Sequence, residues 1–89
     1  MIRNRDFEIT NIADEYMAVP VGKESAFFHG VVTLSEPAAF LLKQMTEPRT
    51  REELIDLLLE EYETDRATVE AEFTAIMETF TELRLVLDA

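Results

Sequence analysis

Eighty-nine residues, 47% of them hydrophobic with two glycines and three prolines, make a globular chain with room for about three or four packed elements and one domain spanning 1–89. The absence of cysteine excludes a disulfide framework and thiolate metal sites and is compatible with a reducing cytoplasm. Nineteen acidic residues against eight basic ones give a net charge of −11, concentrated in the second part of the chain: residues 1–34 carry five acids and three bases, residues 35–89 fourteen and five. A field of that sign repels phosphate backbones and fits a basic or apolar partner, unless the acids are simply a solvated face.

The N-terminus, MIRNRDFEIT, has no apolar core of a signal peptide, and no apolar run approaches the length of a membrane span, so a cytoplasmic protein without a membrane partner is expected. Phe7 and Ile9 alternate with Glu8 and Thr10, and Asp14-Glu15 makes a polar break before the apolar run Tyr16 to Val21, which predicts two strands joined by a short turn. Pro20 has no N–H for a ladder, so strand two is either locally an edge or ends its pairing there. Gly22 to Ser25 reads as a turn. Phe27 to Leu34 is the third predicted strand, with Phe28, Gly30, Val32 and Leu34 toward the core and Phe27, His29, Val31 and Thr33 away from it. That outer set is apolar for a solvent face, so either a helix covers it or it is open to pairing with another chain.

Ser35 is suited to cap a first helix, with Glu36 and Pro37 in its first turn and Ala39, Phe40, Leu42 and Met45 as its apolar stripe. Glu47-Pro48-Arg49 stops it. Thr50 to Glu53 matches a capping box, and Leu54, Ile55, Leu58, Leu59 and Tyr62 form the buried side of the second helix. The third, from about Asp65 to Leu83, aligns Val69, Phe73, Ile76, Phe80 and Leu83, with Met77 beside them. Leu85, Val86 and Leu87 are expected to fold back as an apolar tail. A sheet edge and a helical layer are thereby set side by side, with a groove between strand three and helix three.

Chemistry-bearing constellations are missing. His29 is the one histidine, and a lone His on a strand is by default a packed or surface residue. Glu52-Glu53 and Glu60-Glu61 are sequence neighbours, which a helix turns about 100° apart rather than onto one site. Gly22 and Gly30 stand alone, with no phosphate-cradling loop. The expectation is a non-enzyme with no catalytic residue, cofactor or metal.

The order of elements, the segment Phe28-His29-Gly30-Val31-Val32-Thr33-Leu34-Ser35 leading into Ala39-Phe40, the Arg49 to Leu54 helix start, and Leu58 to Tyr62 before the last helix resemble the PqqD-like family over roughly residues 7–87. These domains are also called RiPP recognition elements, after the ribosomally made and post-translationally modified peptides they serve. The resemblance implies an α+β fold of winged helix-turn-helix type, a three-stranded antiparallel sheet followed by three helices. It also implies a non-catalytic protein that takes the leader of a precursor peptide as an antiparallel strand beside strand three and presents it to a maturation enzyme, of radical SAM or ATP-dependent type. Carried onto this chain, the peptide-binding positions are Phe27, Phe28, His29, Gly30, Val31, Val32 and Thr33 on the strand, and Thr68, Val69, Glu72, Phe73 and Ile76 on the helix. Family members often have Asn before the strand-three Gly and Gly after the last helix, where this chain has His29 and Arg84.

The competing reading is a winged-helix structural or regulatory dimer, or a DNA-binding domain. Charge argues against DNA, since helix two offers Arg51 alone and helix three Arg66 and a terminal Arg84. The expected partners are therefore the leader and the maturation enzyme, with no nucleic acid, and the chain itself as a monomer or homodimer.

Overall fold

A computed structural model describes residues 1–26 and 30–87. Strands β1 (Phe7–Ile12) and β2 (Glu15–Pro20) form a hairpin, a single 3-10 turn covers Glu24–Ala26, and β3 (Val32–Leu34) leads into α1 (Glu36–Gln44), α2 (Arg51–Glu61) and α3 (Arg66–Glu82). The sheet is antiparallel with order β1-β2-β3. Ala13 and Asp14 close the hairpin with φ of 52° and 66°, the left-handed pair of a type I′ turn whose twist matches the strands it joins.

The third strand is shorter than the sequence pattern suggests. Strand was expected from Phe27, but Val31 carries none and Gly30 bends with φ 113°, while Phe27, Phe28 and His29 lie outside the described residues. Register supplies the reason. Val21 N–H donates to Asp6 O at 2.7 Å, so alternation aims the backbone groups of Val21, Val19 and Met17 at β1 and those of Pro20, Ala18 and Tyr16 at β3. Tyr16 faces Leu34 and Ala18 faces Val32, which puts Pro20 opposite Gly30. The donor that would extend the β2–β3 ladder is the one a proline lacks, and the pairing ends at that point.

The first two helices begin at the caps read from the sequence, Ser35 and Thr50, and the third at Asp65. Ser35 Oγ accepts from Ala38 N–H at 3.3 Å, and Asp65 Oδ1 accepts from Thr68 N–H at 2.8 Å. Thr50 and Glu53 satisfy each other's backbone N–H groups at 3.0 and 3.1 Å, a complete capping box. The end of α3 is a Schellman motif: Leu85 N–H donates to Phe80 O at 2.8 Å and Arg84 N–H to Thr81 O at 3.2 Å, with Arg84 at φ 63° in the position usually taken by glycine.

The core lies between the sheet and the helices, joining Phe7, Ala18 and Leu34 to Leu41 and Leu42 of α1 with Met45 at its end, Leu54, Ile55 and Leu58 of α2, and Val69, Phe73, Met77 and Phe80 of α3. Phe40, Leu59, Tyr62, Ile76 and Leu83, expected on buried stripes, are only partly covered. Leu85 and Val86 fold back into the core as expected, whereas Leu87 stays 58% exposed. The N-terminal residues are stitched in by backbone bonds with no sequence signature: Arg3 N–H to Met45 O, Asn4 N–H to Leu85 O and Arg49 N–H to Met1 O. Among the described residues no helix is long and apolar enough to cross a membrane.

Candidate functional site

β3 is an outer strand of the sheet, and its parity fixes which groups it leaves open. Val32 and Leu34 aim their N–H and C=O groups at Ala18 and Tyr16, so those of Thr33 point away from the sheet. Among the described residues no strand pairs with that rim. The side chains alternate in the opposite sense: Val32 is half-buried and Leu34 buried against the core, while Thr33 is exposed and Val31 is 49% exposed.

A groove of about 260 Å³ runs between this rim and α3. Val32, Thr33, Leu34 and Ser35 form one wall, Ala75, Ile76, Thr79 and Phe80 the other, and Ala38 and Leu85 complete it. Among the described residues no charged side chain lines it, which makes it suited to side chains of modest size and low polarity. Two of its helix positions, Ala75 and Thr79, are small and one turn apart, leaving room beside the strand.

Of the helix positions carried over from the family resemblance, Ile76 lines this groove. Val69 and Phe73, each 2% exposed, belong to the core and do not line this groove. Thr68 and Glu72 are exposed, Thr68 in the capping turn of α3 and Glu72 one turn before Ile76. On the strand side Val32 and Thr33 line the groove, Gly30 and Val31 lead up to it, and Phe27, Phe28 and His29 lie outside the described residues. Sequence reasoning passed over Ala75, Thr79, Ala38 and Ser35, because small and polar residues leave no mark in a search for apolar stripes. Their spacing beside Ile76 and Phe80 was the available signal.

The electrostatics around the groove are uneven. Arg66 is held by three carboxylates, Asp56 at 2.8 Å, Glu52 at 3.3 Å and Glu70 at 3.5 Å, which pins α3 to α2 on the flank away from β3. Near the start of α1, Tyr62 stands edge-on to Phe40 at 6.1 Å between ring centroids. Burial, then the charges of Glu36 and Glu61 with smaller effects from Tyr16 and Glu72, push its hydroxyl up from the ordinary tyrosine value. At the opposite end of the groove Arg84 Nε donates to Glu24 Oε1 at 3.0 Å.

The family model described as "Coenzyme PQQ synthesis protein D (PqqD)" matches residues 15–86, from the first residue of β2 to the apolar tail. The chain belongs to the PqqD family. Among solved structures, "TbiB1 in Complex with the TbiA(beta) Leader Peptide" superposes with a TM-score of 0.78 at 19% identity, covering 100% of this chain and 98% of TbiB1. The fold of this PqqD-family chain is thus that of TbiB1, an antiparallel three-stranded sheet followed by three helices. Among curated proteins no sequence matches it.

Proposed function

We propose that this chain is a non-catalytic peptide-binding protein that takes the leader of a ribosomally made precursor peptide as a strand beside β3 and presents it to a modifying enzyme. The observation that carries this reading is the coincidence of the outward N–H and C=O of Thr33 with an uncharged groove against α3. Strand addition needs both parts: backbone hydrogen bonds supply sequence-tolerant affinity, and the groove selects alternate side chains of the visitor. TbiB1, which shares the fold, is described with a leader peptide bound, which supports the same role here. The expected partners are a leader peptide and a maturation enzyme of radical SAM or ATP-dependent type, in the cytoplasm, with the chain as monomer or homodimer.

Charge weighs against the DNA-binding alternative. Arg66 is occupied by three carboxylates and Arg51 lies over the Phe73 ring at 5.3 Å, so the cations of α2 and α3 serve internal contacts. Titration calorimetry against the leader encoded next to this chain tests the proposal. Saturable binding at micromolar concentration is expected, and a folded protein that takes up no leader at high micromolar concentration would refute it.

A further inference from the structure

The two ends of the groove beside β3 differ in charge, and the difference specifies more about the occupant than its extended shape. α3 runs opposite to β3. Its C-terminal end is tied to the segment ahead of β3 by the Arg84–Glu24 ion pair, while its earlier turns lie toward Ser35 and the start of α1. At the Arg84 end, then, the buried acid already has its cation. At the Ser35 end it is otherwise: Glu36 follows Ser35 directly, and Glu72 lies one turn before Ile76 on the groove side of α3. Both are exposed, and among the described residues neither has a cation within ion-pair distance. Among the described residues Arg84 pairs Glu24, Arg66 serves Glu52, Asp56 and Glu70, and Arg49 reaches Glu53 at 4.0 Å, whereas the other acids have no such partner; what sets Glu36 and Glu72 apart is their place beside the groove. Lys43, the cation on α1, is placed over the Tyr16 ring at 4.8 Å, on the β2 side.

A strand added to β3 would keep the sheet wholly antiparallel, the arrangement favoured in hydrogen-bond geometry. It would enter beside Ser35 and leave toward Gly30, so its N-terminal residues pass between Glu36 and Glu72. We propose that the bound segment carries Lys or Arg at its N-terminal end, received by Glu36 and Glu72, followed by alternate apolar residues that enter the groove against Ile76 and Leu34. This assignment rests on the strand-addition reading above and adds to it the polarity and charge of the ligand. The unpaired acids favour a cation at that end and disfavour an acidic leader terminus, giving selection by attraction and repulsion together.

Two isomeric synthetic peptides of about eight residues test it, alternating Thr with Val or Leu, one bearing Lys-Lys at its N-terminal end and the other at its C-terminal end, both capped to remove terminal charge. Fluorescence anisotropy at low salt should find the first binding about five-fold tighter, as expected of exposed ion pairs. About 0.5 M sodium chloride should collapse the ratio toward one, and so should the Glu36→Gln/Glu72→Gln variant with its circular dichroism unchanged. Thr33→Pro should weaken both peptides together, showing that both use the β3 rim. Equal affinities, or preference for the second isomer, with that loss on Thr33→Pro retained, overturn the charge assignment and leave strand addition standing. Failure of both peptides to bind overturns the strand-addition reading and this assignment with it.

Discussion

Arg84 Nε and Glu24 Oε1, sixty positions apart in sequence, meet at 3.0 Å and join the left-handed residue that ends α3 to the turn that precedes β3. The Glu24 side chain is 6% exposed and that of Arg84 63%, so the acid is the partner that depends on the pair. Asn4 Nδ2 also donates to Arg84 O at 2.8 Å, bringing the N-terminal segment to the same point. An arginine at φ 63° carries backbone strain that glycine would not, of about 1 kcal/mol, and the hydrogen-bonded ion pair offsets it.

Substitution at Arg84 separates the two effects. Arg84→Ala keeps the strain and leaves Glu24 without its cation, and we expect a loss of about 1–3 kcal/mol in chemical denaturation. Arg84→Gly removes the strain as well and should recover about 1 kcal/mol of that loss. A glycine variant more stable than the parent protein would mean that the contact with Glu24 is worth less than the backbone strain it offsets.

The rim of β3 can be altered without breaking the ladder behind it. Thr33 directs its N–H outward while Val32 and Leu34 bond to β2, so Thr33→Pro deletes one donor for a visiting strand and none for the sheet. Leader affinity should fall about ten-fold, the worth of roughly one backbone hydrogen bond, with circular dichroism preserved. Unchanged affinity in the folded variant would place the leader elsewhere.

What the sequence disclosed and what it hid divide along the range of the interaction. The caps at Ser35 and at Thr50 with Glu53 were legible because each is settled within about three residues of chain, and the start of the third helix near Asp65 was legible too. The length of β3 was not, because it is decided by Pro20 facing Gly30, a register visible only once β2 and β3 are paired. The face of α3 that borders β3 was hidden for a related reason. Val69 and Phe73 satisfy any test for an apolar stripe, but that stripe meets the core, and the face beside β3 is marked by the smallness of Ala75 and Thr79. Arg84 likewise concealed a helix end that glycine would have announced.

Residues on the two faces of α3 should therefore respond differently. Phe73→Ala removes a ring that is 2% exposed and should cost about 3–5 kcal/mol of stability, with leader affinity per folded molecule unchanged. Ile76→Ser touches a half-buried groove position and should weaken leader binding several-fold at a smaller cost, about 1–2 kcal/mol. Thermal melts beside calorimetry distinguish them. The reverse pattern, with affinity lost at Phe73 and stability at Ile76, would mean that the ligand opens the core.

Stability should also fall at both extremes of pH, for identifiable reasons. Hydrogen bonds from Thr50 hold the Glu53 carboxyl below its ordinary value, and those from Thr68 do the same for Asp65. A carboxyl depressed in the folded state stabilises above its unfolded value, and that contribution disappears as pH falls from about 4 through the folded value. Tyr62 works in the other direction, since burial and the carboxylates of Glu36 and Glu61 raise its hydroxyl. Its contribution is complete below the unfolded tyrosine value near 10 and is lost as pH rises through the higher folded one. Thr50→Ala, which should cost about 1 kcal/mol at neutral pH, is expected to flatten the acid limb of a denaturation profile. Tyr62→Phe is expected to flatten the alkaline limb alone. If Tyr62→Phe leaves the alkaline limb as steep as before, the hydroxyl ionises equally in folded and unfolded chains, and the acidic surroundings assigned to the Ser35 end of the groove would not reach it.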